Sequence, residues 1–236
     1  MNESEPIDAN GPIAVVGTDT GVGKTVVTAA LTRYFRKSDI DARAIKPAQT
    51  GHPPDDDAGF VADACDDPDA ATCLRYLEPA LAPRVAAEVA DEDLSYESIL
   101  AACRRECEGT PLPLVEGIGG LRVPLAGDRE VIDLVADLEA TAVVVARSGL
   151  GTLNHTALTG EALERRGVPV AGIVCNEYEG ASLAERTNPD ELERLTGVRV
   201  ETVPPLEGGP TALADGVADA LSTRLFDRLE RLAAER

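Results

Sequence analysis

Along most of this chain, short apolar runs alternate with stretches whose apolar residues recur at helical spacing. Residues 13–16, 42–45, 112–115, 142–146 and 168–174 are runs of the first kind. Largely apolar and without strict period-two alternation, they predict strands buried on both faces. Between them, 25–35 and about 95–107 carry helical spacing, the second with Ile99, Leu100 and Cys103 on one face. A further helical stretch, about 154–165, ends on Arg165, Arg166 and Gly167, and basic residues followed by glycine are a helix stop. In the tail, 213–232, Val217, Leu221, Leu225 and Leu229 stand four apart and predict one amphipathic helix, packed on the sheet or on a second subunit. The alternation as a whole predicts an α/β fold in three layers, a mostly parallel sheet flanked by helices.

Composition narrows the class. With 236 residues the chain suits one domain, expected to span 1–236. Its net charge of −20 argues against nucleic acid or an anionic membrane as partner, since both would repel it. Lysine is confined to Lys24, Lys37 and Lys46, the other basic residues being arginine, and aromatic residues make up only 3%. Together with the acidic excess this suggests a surface that stays hydrated in concentrated salt, where the Debye length falls to about 3 Å at 1 M. The five cysteines, odd in number and scattered, read as reduced thiols in a cytoplasmic protein. The first twelve residues have neither a basic segment nor an apolar core, and no later stretch approaches the ~20 apolar residues of a membrane span.

Candidate chemistry starts where the first run ends. Residues 18–25 read TDTGVGKT, directly after a predicted strand and before a predicted helix. That is the context of a phosphate-binding P-loop. Thr20, Gly21, Val22 and Gly23 form a turn whose backbone N–H groups can face phosphate oxygens, Lys24 can reach the terminal phosphates, and the Thr25 hydroxyl is a ligand for Mg²⁺. Thr18 stands where the strict pattern has glycine, so a plain strand-to-helix turn is the alternative reading. Lys46 follows the second run within KPAQTG, Asp57 lies in an acidic loop, and Glu116 follows the run at 112–115. In open α/β sheets these strand ends lie on the ligand-binding side. Singly, Lys46 reads as a surface residue, Asp57 as a solvated charge and Glu116 as a strand terminus. Jointly they suit a nucleotide with Mg²⁺, which takes one or two carboxylates beside phosphate oxygens and water.

The segments GTDTGVGKT at 17, IKPAQTG at 45, DA at 57, EPALAP at 78, LVEGIGGLRVPL at 114, GLGTLNHTALT at 149, GIVCNE at 172 and VPPLE at 203, in that order, resemble the dethiobiotin synthetase family over nearly the whole chain. The resemblance implies a homodimeric P-loop enzyme that closes a cyclic urea on 7,8-diaminononanoate, using CO₂, ATP and Mg²⁺. It implies Lys24 and Lys46 as catalytic cations, and Thr25, Asp57 and Glu116 as metal ligands. Asn176 matches an adenine-contacting position, with Pro204, Pro205, Leu206 and Glu207 completing the base pocket; a strand-end cap is the alternative for Asn176. Thr50 matches a position near the diamine. Gly151, Thr152, Leu153 and Asn154 match a helix N-terminus that receives the substrate carboxylate across the dimer interface. His155 is expected to be packed and hydrogen-bonded. Arg84 and Ile118 depart from the family pattern, where histidine and alanine are common.

Two other readings share the P-loop. An ATP-driven switch of the DNA-partitioning or division-site type would carry a lysine where this chain has Asp19. A cobyrinate-amidating enzyme would need a glutamine-hydrolysing domain for which the chain has no room.

Overall fold

The computed structural model describes residues 11–234, so residues 1–10 of the segment read as lacking a leader lie outside the described residues. The chain begins β1 (Ile13–Gly17), α1 (Lys24–Lys37), β2 (Ala42–Lys46), β3 (Gln49–Thr50), α2 (Asp57–Cys65), β4 (Ala71–Cys73), β5 (Tyr76–Leu77), α3 (Pro83–Ala90) and α4 (Tyr96–Glu108). It continues β6 (Leu112–Gly120), β7 (Pro124–Ala126), β8 (Arg129–Glu130), α5 (Val131–Asp137), β9 (Thr141–Arg147), α6 (Thr152–Arg165), β10 (Val170–Asn176), α7 (Leu183–Thr196), β11 (Val200–Thr202), α8 (Pro210–Ala220) and α9 (Thr223–Ala234). Seven strands form one sheet in the order β11-β10-β9-β1-β6-β2-β4. Every pairing in it is parallel. The predicted three-layer α/β arrangement is therefore present, with β1 at the centre.

Strand geometry explains the layering, because successive side chains leave a strand on opposite faces. From β1, Ile13 and Val15 enter a core built with α1, α2, α8 and α9, while Ala14 and Val16 enter a second core built with α4, α5, α6 and α7. Strands buried from both sides need apolar side chains on both faces, which is why these runs show no polar alternation.

The tail departs from the single helix expected at 213–232. Leu221 is extended, with ψ 145°, and separates α8 from α9. At the break Glu201 accepts hydrogen bonds from the Ser222 N–H (3.1 Å) and hydroxyl (2.6 Å), holding the junction to β11. Val217, Leu221, Leu225 and Leu229 all reach one core nonetheless. The four-residue spacing thus predicted the buried face but not the break. The helix α7 and the three-residue edge strand β11 were also not expected from the pattern.

Candidate active site

The strand β1 delivers the chain to the carboxyl edge of the sheet, where the Thr18 N–H still donates to the Val145 carbonyl at 3.0 Å. The chain then turns through Gly21 (φ 68°) and Gly23 (φ 99°) before α1 begins at Lys24. A Cβ on Gly23 would lie 2.2 Å from Asn176 Nδ2, so both its backbone angle and its neighbour demand glycine. The first N–H groups of α1 have no partners within the helix, and they add positive potential at this turn.

Behind the turn, charges gather from four separate elements, α1, β2, α2 and β6. Lys24 Nζ donates to the Asp19 carbonyl at 2.9 Å. Lys46, at the end of β2, donates to Glu116 Oε1 at 2.8 Å and is ion-paired with Asp57 at the start of α2. The Thr25 hydroxyl donates to the same Glu116 oxygen at 2.9 Å. Lys46 and Glu116 are 5% and 2% exposed, so these are charges held almost wholly out of water. Burial and the neighbouring Lys46 push Lys24 below its usual value. Burial alone would depress Lys46 too, but Glu116 and Asp57 outweigh it and hold its ammonium above the ordinary lysine range. Burial, reinforced by Asp57, raises Glu116, whereas for Asp57 the Lys46 charge overcomes burial and lowers the carboxyl. The two carboxylates are thus driven apart in proton affinity, as two like charges sharing one site must be.

These groups line one cleft of about 770 Å³, together with Thr20, Gly21 and Thr50. Their donors suit Mg²⁺: a hydroxyl and two carboxylates, all oxygen, with the carboxylates already converging on one cation, the Lys46 ammonium. The remaining expected residues lie elsewhere. Asn176 sits beneath the turn, its Nδ2 donating to the Val22 carbonyl at 3.1 Å. Pro204, Pro205, Leu206 and Glu207 follow β11 at the same edge of the sheet, with Leu206 half-buried against Gly216 and the other three exposed. In the single chain, Gly151, Thr152, Leu153 and Asn154 do not line the cleft; they form the start of α6. His155, expected to be packed, is instead exposed and borders a separate depression with Thr18 and Asp19. Arg84 does not line the cleft and donates to the Gly127 carbonyl at 3.2 Å.

Two further residues were not singled out from the sequence. Gln49 lines the cleft, and its Oε1 accepts the Asp57 N–H at 3.2 Å, fixing the start of α2. The available hint was its place inside the KPAQTG segment; the fold leaves the residue 6% exposed. Arg147, at the end of β9, donates to the Thr20 carbonyl at 3.2 Å and steadies the turn. A charged residue ending the apolar run at 142–146 was the available hint.

A family model described as an AAA domain matches residues 12–207. The ATP-dependent dethiobiotin synthetase BioD of Haloferax mediterranei is 58% identical over 209 residues, covering 88% of this chain and 90% of the relative. The chain belongs to the dethiobiotin synthetase family. Family relatives of the same name from Mycobacterium avium and Bacillus licheniformis are 43% and 33% identical, covering 92% and 94% of this chain and 95% and 98% of theirs. Among solved structures, the cell division ATPase MinD of Pyrococcus furiosus superposes with a TM-score of 0.55 at 16% identity, covering 94% of this chain and 99% of that one. A ParA family ATPase from Chlorobium tepidum gives 0.56 at 14% identity, covering 96% and 99%. At such identities the likeness shows the P-loop ATPase fold alone. Dethiobiotin synthetases are ATP-dependent ligases of biotin biosynthesis, so this member is an ATP-using enzyme with small-molecule substrates. Among the described residues, no helix is long and apolar enough to cross a membrane.

Proposed function

We propose that this dethiobiotin synthetase closes a cyclic urea on 7,8-diaminononanoate with CO₂ and ATP, dependent on Mg²⁺. The observation that carries this reading is the convergence of two ammonium groups, a hydroxyl and two carboxylates from four separate elements in one cleft. One amine of the substrate takes up CO₂ and loses a proton, giving a carbamate. A carbamate oxygen then attacks the γ-phosphorus, forming an O–P bond as the bond to ADP breaks. The second amine attacks the carbonyl carbon of this carbamic-phosphoric anhydride, phosphate leaves, and the ring closes.

Carbamate and γ-phosphate are both anions, so their approach is the repulsive step. Lys24 and Lys46 offset it and stabilise the charge that spreads over the transferring phosphoryl group. Thr20, Gly21, Val22, Gly23 and the start of α1 bind the phosphate chain through backbone N–H groups. Thr25, Asp57 and Glu116 would hold Mg²⁺, which when bound supplies further positive charge to the phosphate oxygens. Thr50 orients the diamine, and Asn176 with Pro204, Pro205, Leu206 and Glu207 receives the base. Gly151, Thr152, Leu153 and Asn154 complete the site from a second copy, which makes the working form a homodimer. The same reading holds residues 1–236 to be one domain of a cytoplasmic, salt-adapted protein that binds neither nucleic acid nor membrane.

The test is a mixture of protein, ATP, Mg²⁺ and the diamine in high salt, with and without bicarbonate, followed for ADP and the cyclic urea. Equal amounts of both, only with bicarbonate, are expected, and Lys46→Met should lower turnover by about 10²–10³-fold. ADP release that ignores the diamine but rises with a protein partner overturns the reading in favour of a switch.

A further inference from the structure

We propose that a second anion site lies at the outer edge of the sheet, where Arg199, Arg224, Arg228 and Arg231 gather around one concavity suited to a multivalent phosphate-class oxyanion. The concavity, of about 360 Å³, lies between the start of β10, the loop before β11, and α9. It shares no residue with the nucleotide cleft. It also lies at the opposite edge of the sheet: Val170 opens β10 at the concavity and Asn176 closes that strand beneath the P-loop, roughly 20 Å away at ordinary strand rise.

Charge accounting sets this place apart in a chain of net charge −20. The helix α9 carries Arg224, Arg228 and Arg231 four and three positions apart, which places them on one helical face. Its Leu225, Phe226, Leu229 and Leu232 face the core instead. Arg228 Nη1 donates to the Ala171 carbonyl at 2.9 Å, which fixes that guanidinium at the concavity wall. Burial, and then the charge of Arg231, push Arg228 below the usual arginine range, so the cations meet without full compensation. Two carboxylates also line the concavity and keep their charge, so four guanidinium groups stand against two anions; both are turned to other donors, Glu193 accepting the Val200 N–H at 2.9 Å and Glu201 both donors of Ser222. Among the described residues, none of the four arginines takes part in a salt bridge. Ten other arginines do.

Guanidinium groups pair with phosphate through two parallel hydrogen bonds, and several together favour an anion carrying several charges. A di- or triphosphate chain meets that demand; a single carboxylate carries too little charge to balance four guanidinium groups set against two carboxylates. Two sources share this chemistry, a free polyphosphate and the phosphate tail of a nucleotide.

The test is calorimetric titration of the full chain with tripolyphosphate, free of Mg²⁺, in wild type and two variants. Wild type should bind two equivalents. Lys24→Gln should lose the event in the nucleotide cleft and keep the other. Arg224→Gln/Arg231→Gln, both at exposed positions and so expected to melt like wild type, should weaken only the edge site, by roughly tenfold or more. A single event that vanishes in Lys24→Gln and ignores the arginine substitutions overturns the proposal, as does any titration in which the second event is missing. With the edge site present, tighter binding of ATP than of tripolyphosphate identifies a nucleotide as the ligand, and equal binding identifies the phosphate chain. Either supports the site.

Discussion

Replacing Lys46 with methionine keeps most of the side-chain length and removes the ammonium, leaving Glu116 buried without its cation. The partners are 5% and 2% exposed, with Nζ and Oε1 2.8 Å apart. Removing one member of such a buried pair costs about 3–5 kcal/mol, chiefly because the other charge is stranded out of water. Asp57 loses the same partner but its side chain is 28% exposed, so solvent compensates it and it adds little. With a urea dependence of about 2 kcal/mol per molar, the unfolding midpoint should fall by roughly 1.5–2.5 M. Adding Glu116→Gln keeps the shape and removes the stranded charge. The double variant should recover at least about 2 kcal/mol while remaining inactive, a non-additivity that a double-mutant cycle reads directly. The assay is equilibrium urea unfolding by circular dichroism at fixed salt. A Lys46→Met midpoint equal to wild type, or a double variant as unstable as the single one, refutes the reasoning.

Three other outcomes are expected. Gly23→Ala should cost about 1–3 kcal/mol, because φ is 99° and the new methyl meets Asn176, and it should weaken ATP binding; nucleotide titration at wild-type affinity would contradict this. Asp215, held at about 2 by its hydrogen bond to Arg33 and then by Lys37, contributes stability that is present above the usual carboxyl value and lost as pH falls from about 4 towards 2. Its side chain is 41% exposed, so Asp215→Asn should cost only about 0.5–1 kcal/mol at pH 7, with the gap to wild type closing below pH 4; a gap independent of pH would rule this out. Finally, transfer from molar to millimolar KCl should lower the unfolding midpoint, because 42 acidic residues then repel at longer range; an unchanged midpoint would remove the salt-adaptation reading.

Much of the fold was legible because its strands are buried on both faces and so read as continuous apolar runs, and because glycines and lysine mark the strand-to-helix turn. What escaped notice depends on tertiary context. Spacing at four residues is satisfied equally by one helix or by two that share a buried face, so Leu221 and Ser222 gave no sign of the break that Glu201 stabilises. The helix α7 carries Pro189 in its interior, which argues locally against a helix, although Ser182 and Glu185 form a capping box at its start. At the site, Lys24 was identifiable from the P-loop motif, Lys46 and Glu116 by charge at strand ends, and Asp57 from an acidic loop taken jointly with them. Gln49 and Arg147 were not, since each acts through a contact that only the folded chain makes, with Asp57 and with the Thr20 carbonyl. Asn176 was read as a base contact or a strand-end cap; the contact the fold shows is its bond to the Val22 carbonyl, which supports the turn.

On the mechanism proposed above, one cleft holds the phosphate chain and the carbamate side by side under two ammonium groups. A crystal structure with a non-hydrolysable ATP analogue, Mg²⁺ and the diamine tests it most directly. The triphosphate should be wrapped by residues 18–25, with its terminal phosphate within reach of both Lys24 and Lys46 and the diamine against Thr50. A triphosphate bound away from that turn, or a diamine on the far side of the molecule from Lys46, would contradict it.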